Sequence, residues 1–416
     1  MAATVVLLWT CAAGAVDVDL RAEAEETSTP NGAAQPCDPR SVFAPPVRLP
    51  AGDFSLAAAV ADFDGDGLDD LVFTQIAAHR IRSLISNGDG TFAPPVDYST
   101  GANSNPFDVV AADLDGDGAP DLAATGRGRR SVRVLLNAGD GTFGAVAEYS
   151  IGASAEQVEA GDIDNDGDLD LAVAELGGGE YEAGFLLNNG DGTFAPALLL
   201  PEPTDIFLVT GIALGDIDSD GNLDFASFSL VDSPGSEAFN ALYLHYGNGD
   251  ATFEPPRVLR FDSSIFDGTG RLTKVAIGDT DGNGANDIVV ATELGPTVWG
   301  NGGGRAIESS QLFNLRRSTT GVTLADVDSN GDDDVLVGIF SGEEFLLLAG
   351  DFAFDQTVTT GQEVYETNVG DVDGDGDLDV IVTYFDASGE FSLVMNQCDP
   401  FLPPSDQVFG DGFESH

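Results

Sequence analysis

An all-β fold is predicted for this 416-residue chain: a seven-bladed β-propeller of four-stranded antiparallel blades, closed by an N-terminal strand that completes the last blade. Three observations predict it. The pattern Asp-x-Asp-x-Asp/Asn-Gly-x-x-Asp occurs seven times, at spacings of 51, 49, 54, 63, 47 and 45 residues. Short apolar runs flank every copy. A segment ahead of the first copy, residues 43–52 (FAPPVRLPAG), matches one that belongs to the end of a unit, residues 92–101 (FAPPVDYSTG).

The elements of a unit follow in order. Ahead of each motif stands a run such as 54–61, 107–112 or 209–214, and behind it another, such as 71–74 or 380–383. Short apolar runs bounded by turn residues read as strands. A third run follows, as at 132–136, 185–187, 345–348 and 391–395, and in the first four units it ends in a glycine-rich turn. Three of these turns read GDGTF (88–92, 139–143, 190–194), and the fourth is the variant NGDATF at 248–253. A fourth extended segment, such as 95–99 or 255–261, completes the unit. Four antiparallel strands with a period near 50 cannot bury both faces alone, so radial stacking into a propeller is the stable solution. The seventh unit has only three strands before Cys398, and segment 43–52 supplies the fourth, which removes both free edges of the ring. That closure brings Cys37 near Cys398 and predicts a disulfide between them. By loop-entropy reasoning so long a loop stabilises by roughly 4–5 kcal/mol.

Composition excludes several functions. Against 71 Asp and Glu stand 16 Lys and Arg, a formal net charge of −55. Such a surface repels nucleic acid and anionic lipid. Three His (79, 245, 416) and three Cys (11, 37, 398) are too few for His- or Cys-rich zinc sites. Residues 1–15 (MAATVVLLWTCAAGA) are apolar, too short for a membrane span, and end in Ala13, Gly14, Ala15, which reads as a signal peptide even though no Lys or Arg precedes the apolar stretch. Residues 16–36 read as an acidic linker, 37–398 as the propeller and 399–416 as a loop-like tail. No other apolar stretch reaches about 18 residues, so no membrane span is expected. A secreted protein, extracellular, at the cell surface or periplasmic, and a monomer, is the expectation.

The repeated motif carries the chemistry. Position 1 is Asp62, Asp113, Asp162, Asp216, Asp279, Asp326 or Asp371, and position 3 is Asp64, Asp115, Asp164, Asp218, Asp281, Asp328 or Asp373. Position 5 is Asp66, Asp117, Asp166, Asp220, Asn283, Asn330 or Asp375. Position 7, offering a backbone carbonyl, is Leu68, Ala119, Asp168, Asn222, Ala285, Asp332 or Asp377. Position 9 is always Asp: Asp70, Asp121, Asp170, Asp224, Asp287, Asp334 or Asp379. Hard oxygen ligands on alternate residues wrap a Ca²⁺ ion, and the Gly at position 6 allows the sharp turn, so up to seven Ca²⁺ are expected. Position 12, which carries a bidentate Glu in an EF-hand, lies here within a strand, so position 9 supplies the last ligand. Asn283 and Asn330 carry one charge fewer, and their loops are expected to bind more weakly.

Asp-x-Asp-x-Asp-Gly-x-x-Asp-Leu, as at 62–71 and 162–171, followed by Asn-Gly-Asp-Gly-Thr-Phe, as at 87–92, resembles the FG-GAP/VCBS repeat family over about residues 43–397. The resemblance implies a propeller like the integrin α-subunit head, with calcium in hairpin loops on one face and partner binding often on the other. Units five to seven depart from it, with 301–305 and 350–354 in place of the full turn. Loops shared by all blades are expected to rigidify them, whereas ligand contact should fall on segments that differ: 231–240 (VDSPGSEAFN), 261–271 (FDSSIFDGTGR) and 176–184 (LGGGEYEAG). No nucleophile elbow, P-loop, dinucleotide fingerprint or His constellation occurs, and His79 and His245 read as ordinary strand or loop residues. The function expected is a calcium-binding or adhesion module for an extracellular glycan or protein. The alternatives are a polysaccharide lyase or glycosidase using acidic residues on the propeller face, and a purely structural surface protein. Seven Ca²⁺ would bring −55 only to −41. With Lys274 the sole lysine against fifteen Arg, the remaining acidity fits adaptation to salty water.

Overall fold

The computed structural model describes residues 16–17, 43–152, 154–176, 181–201, 206–231, 239–261, 274–340, 342–349, 353–385 and 388–396. They form seven antiparallel sheets arranged in a ring, and no helix occurs among them. Blade 1 consists of Ser55–Ala61, Asp70–Gln75, Arg80–Leu84 and Val96–Ser99, in that spatial order. The first strands of the other blades are Pro106–Ala112, Ser154–Gly161, Ile206–Gly215, Val275–Gly278, Thr319–Ala325 and Val364–Gly370. First strands of successive blades meet around the axis, and that of blade 7 meets that of blade 1. Every acidic motif is the hairpin from a first to a second strand, and the second strand begins at position 9.

The second strands read as unbroken apolar runs because both of their faces are buried. In Asp70–Gln75 every residue is buried. Leu71 and Phe73 pack with Phe391 of blade 7, while Val72 packs with Val109 and Leu122 of blade 2. Seven apolar clusters result, one between each pair of neighbouring blades. No blade has a core of its own.

Closure follows the expected route. Val47–Pro50 pairs antiparallel with Glu390–Val394, with Val47 opposite Leu393 and Pro50 opposite Glu390. Pro50 is tolerated because this is the outer edge strand. Phe43 and Asn396 form an isolated antiparallel bridge just beyond it. Phe43 is also held by blade 6: its N–H donates to Gln356 Oε1 at 3.1 Å, and its ring meets Phe345 edge-on at 5.7 Å. Cys37 and Cys398 both lie outside the described residues. So do residues 177–180, 232–238 and 262–271 of the three blade-specific segments. The acidic stretch 16–36 contributes one unforeseen pairing: Val16–Asp17 lies parallel to Phe313 and Asn314 on the outer edge of blade 5. An edge strand leaves backbone groups free for such an addition.

The two ends of the closing segment should differ energetically. Phe43→Ala, at a residue 6% exposed, is expected to cost about 3–5 kcal/mol. Val47→Ala, at a residue 54% exposed, should stay within about 0.5 kcal/mol. Denaturant unfolding of the two variants checks this, and equal effects would mean that Phe43 does not anchor the ring.

Candidate metal centres

Each acidic loop is built from one repeated set of hydrogen bonds. The position-1 carboxylate accepts the N–H of the position-6 glycine in all seven blades, at 2.7–3.1 Å. These glycines, from Gly67 (φ 90) to Gly376 (φ 93), all lie in the left-handed region, where a Cβ is strained. Position 4 is left-handed as well, and is Gly65, Gly116, Asn165, Ser219, Gly282, Ser329 or Gly374. Restriction to Gly, Asn and Ser was a legible signal that motif reading overlooked. The position-5 side chain accepts the N–H of position 7, for example Leu68 N to Asp66 Oδ1 at 3.0 Å.

Position 9 differs from the rest because it is fully buried. One oxygen of each such Asp accepts the N–H of position 2, at 2.8–3.2 Å. In six blades the other oxygen accepts an N–H at the end of the third strand, from Ser86, Asn137, Asn188, Gly247, Asn301 or Asn396, at 2.7–2.8 Å. Most of those residues then reach the preceding blade. Asn137 Nδ2 donates to Phe63 O at 2.8 Å, Asn188 Nδ2 to Leu114 O at 2.7 Å and Asn301 Nδ2 to Ile217 O at 2.6 Å. Asn396 Nδ2 donates to Val327 O at 2.8 Å, and Ser86 Oγ to Val372 O at 2.7 Å, which joins blade 1 to blade 7. Sequence reading missed these straps, although their signal is present: in blades 1 to 3 the strapping Ser or Asn stands just before the glycine-rich turn.

The carboxylates are arranged to receive a cation. Oxygens of Asp62, Asp64 and Asp66 lie within 4.8 Å of one another, as do those of Asp113, Asp115 and Asp121, of Asp162, Asp164 and Asp170, of Asp216, Asp218 and Asp224, and of Asp279, Asp281 and Asp287. Two further groups of this kind occur. Among the described residues, Oδ1 of Asp164, Asp218, Asp334 and Asp373 is buried without a hydrogen-bond partner. A buried anion oxygen left in that state calls for a positive charge. The titration behaviour is consistent with this. Burial pushes Asp70, Asp121, Asp170 and Asp224 up to about 6, against their backbone hydrogen bonds. Burial and then Asp328 push Asp334 up to about 7, and burial does the same for Asp379. The donor set, all hard oxygen, fits Ca²⁺. Blade 4 is distinct: Arg305 Nε donates to Asp218 Oδ2 at 2.7 Å, so part of that loop's charge is already met.

A second charged group lies at the axis. Lys274, immediately before the first strand of blade 5, pairs with Glu366 in that of blade 7, and the Asp108 carboxylate is near enough to shift the titration of both Lys274 and Glu159. Asp108 Oδ2 accepts Val158 N at 3.0 Å. Burial pulls the ammonium of Lys274 down, but the Glu366 and Asp108 carboxylates outweigh it and hold it above the ordinary lysine range. Burial, then the Asp108 charge, pushes Glu159 up to about 7, against Lys274 and a 2.9 Å hydrogen bond from Gln157 Nε2. His79 and His245 fall outside both groups. His79 Nδ1 accepts Asn105 N at 3.3 Å, and His245 is buried beside Phe225.

Three variants test these geometries. With chelator present, Asp70→Asn places an amide NH₂ against a buried backbone N–H and should cost about 1–3 kcal/mol. Asp64→Asn relieves carboxylate repulsion and should be neutral or stabilising in thermal unfolding. Glu159 has a raised folded pKa, so its contribution is complete below about 4.5 and is lost as pH rises towards 7. Glu159→Gln should therefore lose less stability than the parent between pH 5 and pH 8 in denaturant titrations at saturating calcium.

Comparison with known proteins agrees with this architecture. The FG-GAP-like repeat family model matches residues 62–124, 113–173 and 279–337. No curated protein matches. Among solved structures, BBS1N in complex with ARL6DN aligns at a TM-score of 0.58 and 13% identity, covering 86% of this chain and 97% of that one. An Agrocybe aegerita lectin that recognises non-reducing terminal N-acetylglucosamine aligns at 0.50 and 22% identity, covering 83% and 90%. A catalytically inactive virginiamycin B lyase from Staphylococcus aureus, bound to quinupristin, aligns at 0.53 and 10% identity, covering 85% and 99%. At these identities the likeness is one of fold. With three FG-GAP-like repeats and seven four-stranded blades in a ring, the chain is an FG-GAP repeat β-propeller.

Proposed function

We propose that this propeller is a secreted, calcium-stabilised binding module for an extracellular glycan or protein. The observation that carries the reading is the division of labour between its faces. All seven acidic loops leave one face, where they repeat almost atom for atom. The strands flanking the blade-specific segments leave from the opposite face, between Asp224–Val231 and Phe239–His245, for instance. Repetition suits a scaffold, and variation suits recognition. The recognition of N-acetylglucosamine by the lectin of similar fold supports the sugar half of the reading.

In each loop, positions 1, 3, 5 and 9 with the carbonyl of position 7 would hold Ca²⁺. The ion supplies charge neutralisation. The orphaned oxygens of Asp164, Asp218, Asp334 and Asp373 support this assignment. Asn283 and Asn330 should weaken loops 5 and 6, and the Arg305 contact loop 4. Export, a Cys37–Cys398 disulfide, a monomeric state and tolerance of high salt belong to the same proposal.

The experiment is retention of calcium-loaded protein on a panel of polysaccharides and matrix proteins, assayed together with new reducing or unsaturated sugar ends. Retention without new ends, lost on chelation, is the expected result. New ends would make the protein an enzyme instead. At calcium a hundredfold above Kd, each occupied site should add about 2.7 kcal/mol to stability. A chelator that leaves the unfolding temperature unchanged would remove calcium from the account.

A further inference from the structure

The mouth of the axis on the face opposite the acidic loops has a composition unlike the rest of the molecule. A row of rings crosses it. Phe385, just past the second strand of blade 7, is 45% exposed and stacks on Tyr365 at 6.0 Å. Tyr365 meets Phe107 of blade 2 edge-on at 6.3 Å, and the Arg127 guanidinium lies 4.1 Å above the Phe107 ring. Phe54 of blade 1 and Phe340 of blade 6, both half-buried, flank Phe385 at 6.3 and 5.9 Å. Phe107 is buried and forms the floor of the row, Phe54, Phe340 and Tyr365 are half-buried, and Phe385 presents an exposed ring, the kind of apolar surface that marks a binding site.

The same face carries an unusual cluster of charge beside the rings, on the turn between the second and third strands of blade 2. Four of the chain's sixteen cationic residues, Arg127, Arg129, Arg130 and Arg133, fall within seven positions of blade 2. Glu156 pairs with Arg127, and Glu148 with the buried Arg133. Arg129 and Arg130 remain exposed. Arg129 Nε donates to Ala102 O at 3.0 Å, and its closest carboxylate among the described residues is Glu148 at 4.0 Å. Arg130 Nη1 contacts only the Gly152 carbonyl, at 3.4 Å, among the described residues. In a chain carrying 71 carboxylates, an exposed guanidinium with one long ion pair beside another with none among the described residues is conspicuous.

The backbone beneath Arg130 adds a further point. Arg130 has φ 56, in the left-handed region, and its carbonyl accepts Ile151 N at 3.1 Å. Gly389 (φ 68) does the same in blade 7, accepting Ala51 N at 2.8 Å. The turn therefore requires only a left-handed residue, for which glycine is the unstrained choice. His79 (φ 53) in blade 1 and Glu343 (φ 55) in blade 6 hold the same position, their carbonyls accepting Thr100 N at 3.0 Å and Thr360 N at 2.7 Å, so side chains are accommodated there in other blades as well and Arg130 is set apart by its charge alone.

We infer that this face binds an acidic sugar chain, with pyranose rings lying on Phe385 and Tyr365 and uronate carboxylates received by Arg129 and Arg130. Apolar sugar faces suit exposed aromatic rings, and carboxylate suits the guanidinium fork. Elsewhere the acidic surface repels a polyanion, so the arginine cluster also fixes where such a chain can land. The inference rests on the binding-module reading above and narrows its ligand class.

The test is calorimetric titration of the full, calcium-loaded chain with hexasaccharides of galacturonate, glucuronate and mannuronate, each beside its methyl ester. At least one acid form should bind tenfold or more tightly than its ester, with the preference shrinking as salt is raised. Arg129→Ser with Arg130→Gly should abolish the preference without lowering the unfolding temperature. Phe385→Ala should weaken acid and ester alike by about tenfold, as expected for loss of a stacking ring. Equal binding of acid and ester, or unchanged preference in the arginine variant, overturns the inference. If neutral glycans or proteins from the wider panel still bind, the module reading survives that failure; if nothing binds, both fall.

Discussion

The buried aspartate that opens each second strand holds the ring together. In six of the seven blades its two oxygens face in different directions, one to the backbone of its own acidic loop and the other to the end of the third strand, as Asp70 does towards Phe63 and Ser86. In five blades the third-strand residue in turn reaches the loop of the blade before it, and through Ser86 and Val372 one such strap joins blade 1 to blade 7. Loop, blade and neighbouring blade are thereby tied at one point, repeated with small variations around the axis. A carboxylate is needed there because a buried acceptor of two backbone N–H groups must offer lone pairs in both directions and no donor.

The same requirement creates an electrostatic cost. Burying one Asp per blade beside two or three more ligand carboxylates raises its pKa, and the effect is largest in blades 6 and 7. A divalent ion at the centre of each loop would remove that cost, so a stabilising scaffold and a metal site are one design and not two. Arg305 shows a local alternative, a guanidinium delivered to Asp218 from a turn in blade 5. The charge of the chain as a whole is larger than the loops account for. Against that background the exposed arginines of blade 2 and the lone lysine at the axis stand out as positions where positive charge is kept for a purpose.

Packing explains why so large a β-structure has no single centre. Each blade contributes one face to each of two apolar clusters, so Leu71 and Val72, adjacent in sequence, serve different interfaces. A cut between blades would expose two of these clusters, and Phe43, held by Phe345 and Gln356 of blade 6, secures the position where the chain's two ends meet.

Sequence alone determined the architecture, because a nine-residue acidic motif repeated seven times, with strands at fixed offsets, leaves only one economical way to bury both faces of every blade. It also determined which residues line the loops, since alternate carboxylates and an obligatory left-handed glycine are local properties. The straps from Asn137, Asn188, Asn301 and Asn396 were not read from it, because each joins residues about 70 or more positions apart and depends on how one blade sits against the next. The axial group of Asp108, Glu159, Lys274 and Glu366, and the row from Phe385 to Arg127, were equally hidden. Their members come from different blades and share no motif. Only the closing of the ring brings them to one axis, where side chains distant in sequence become neighbours.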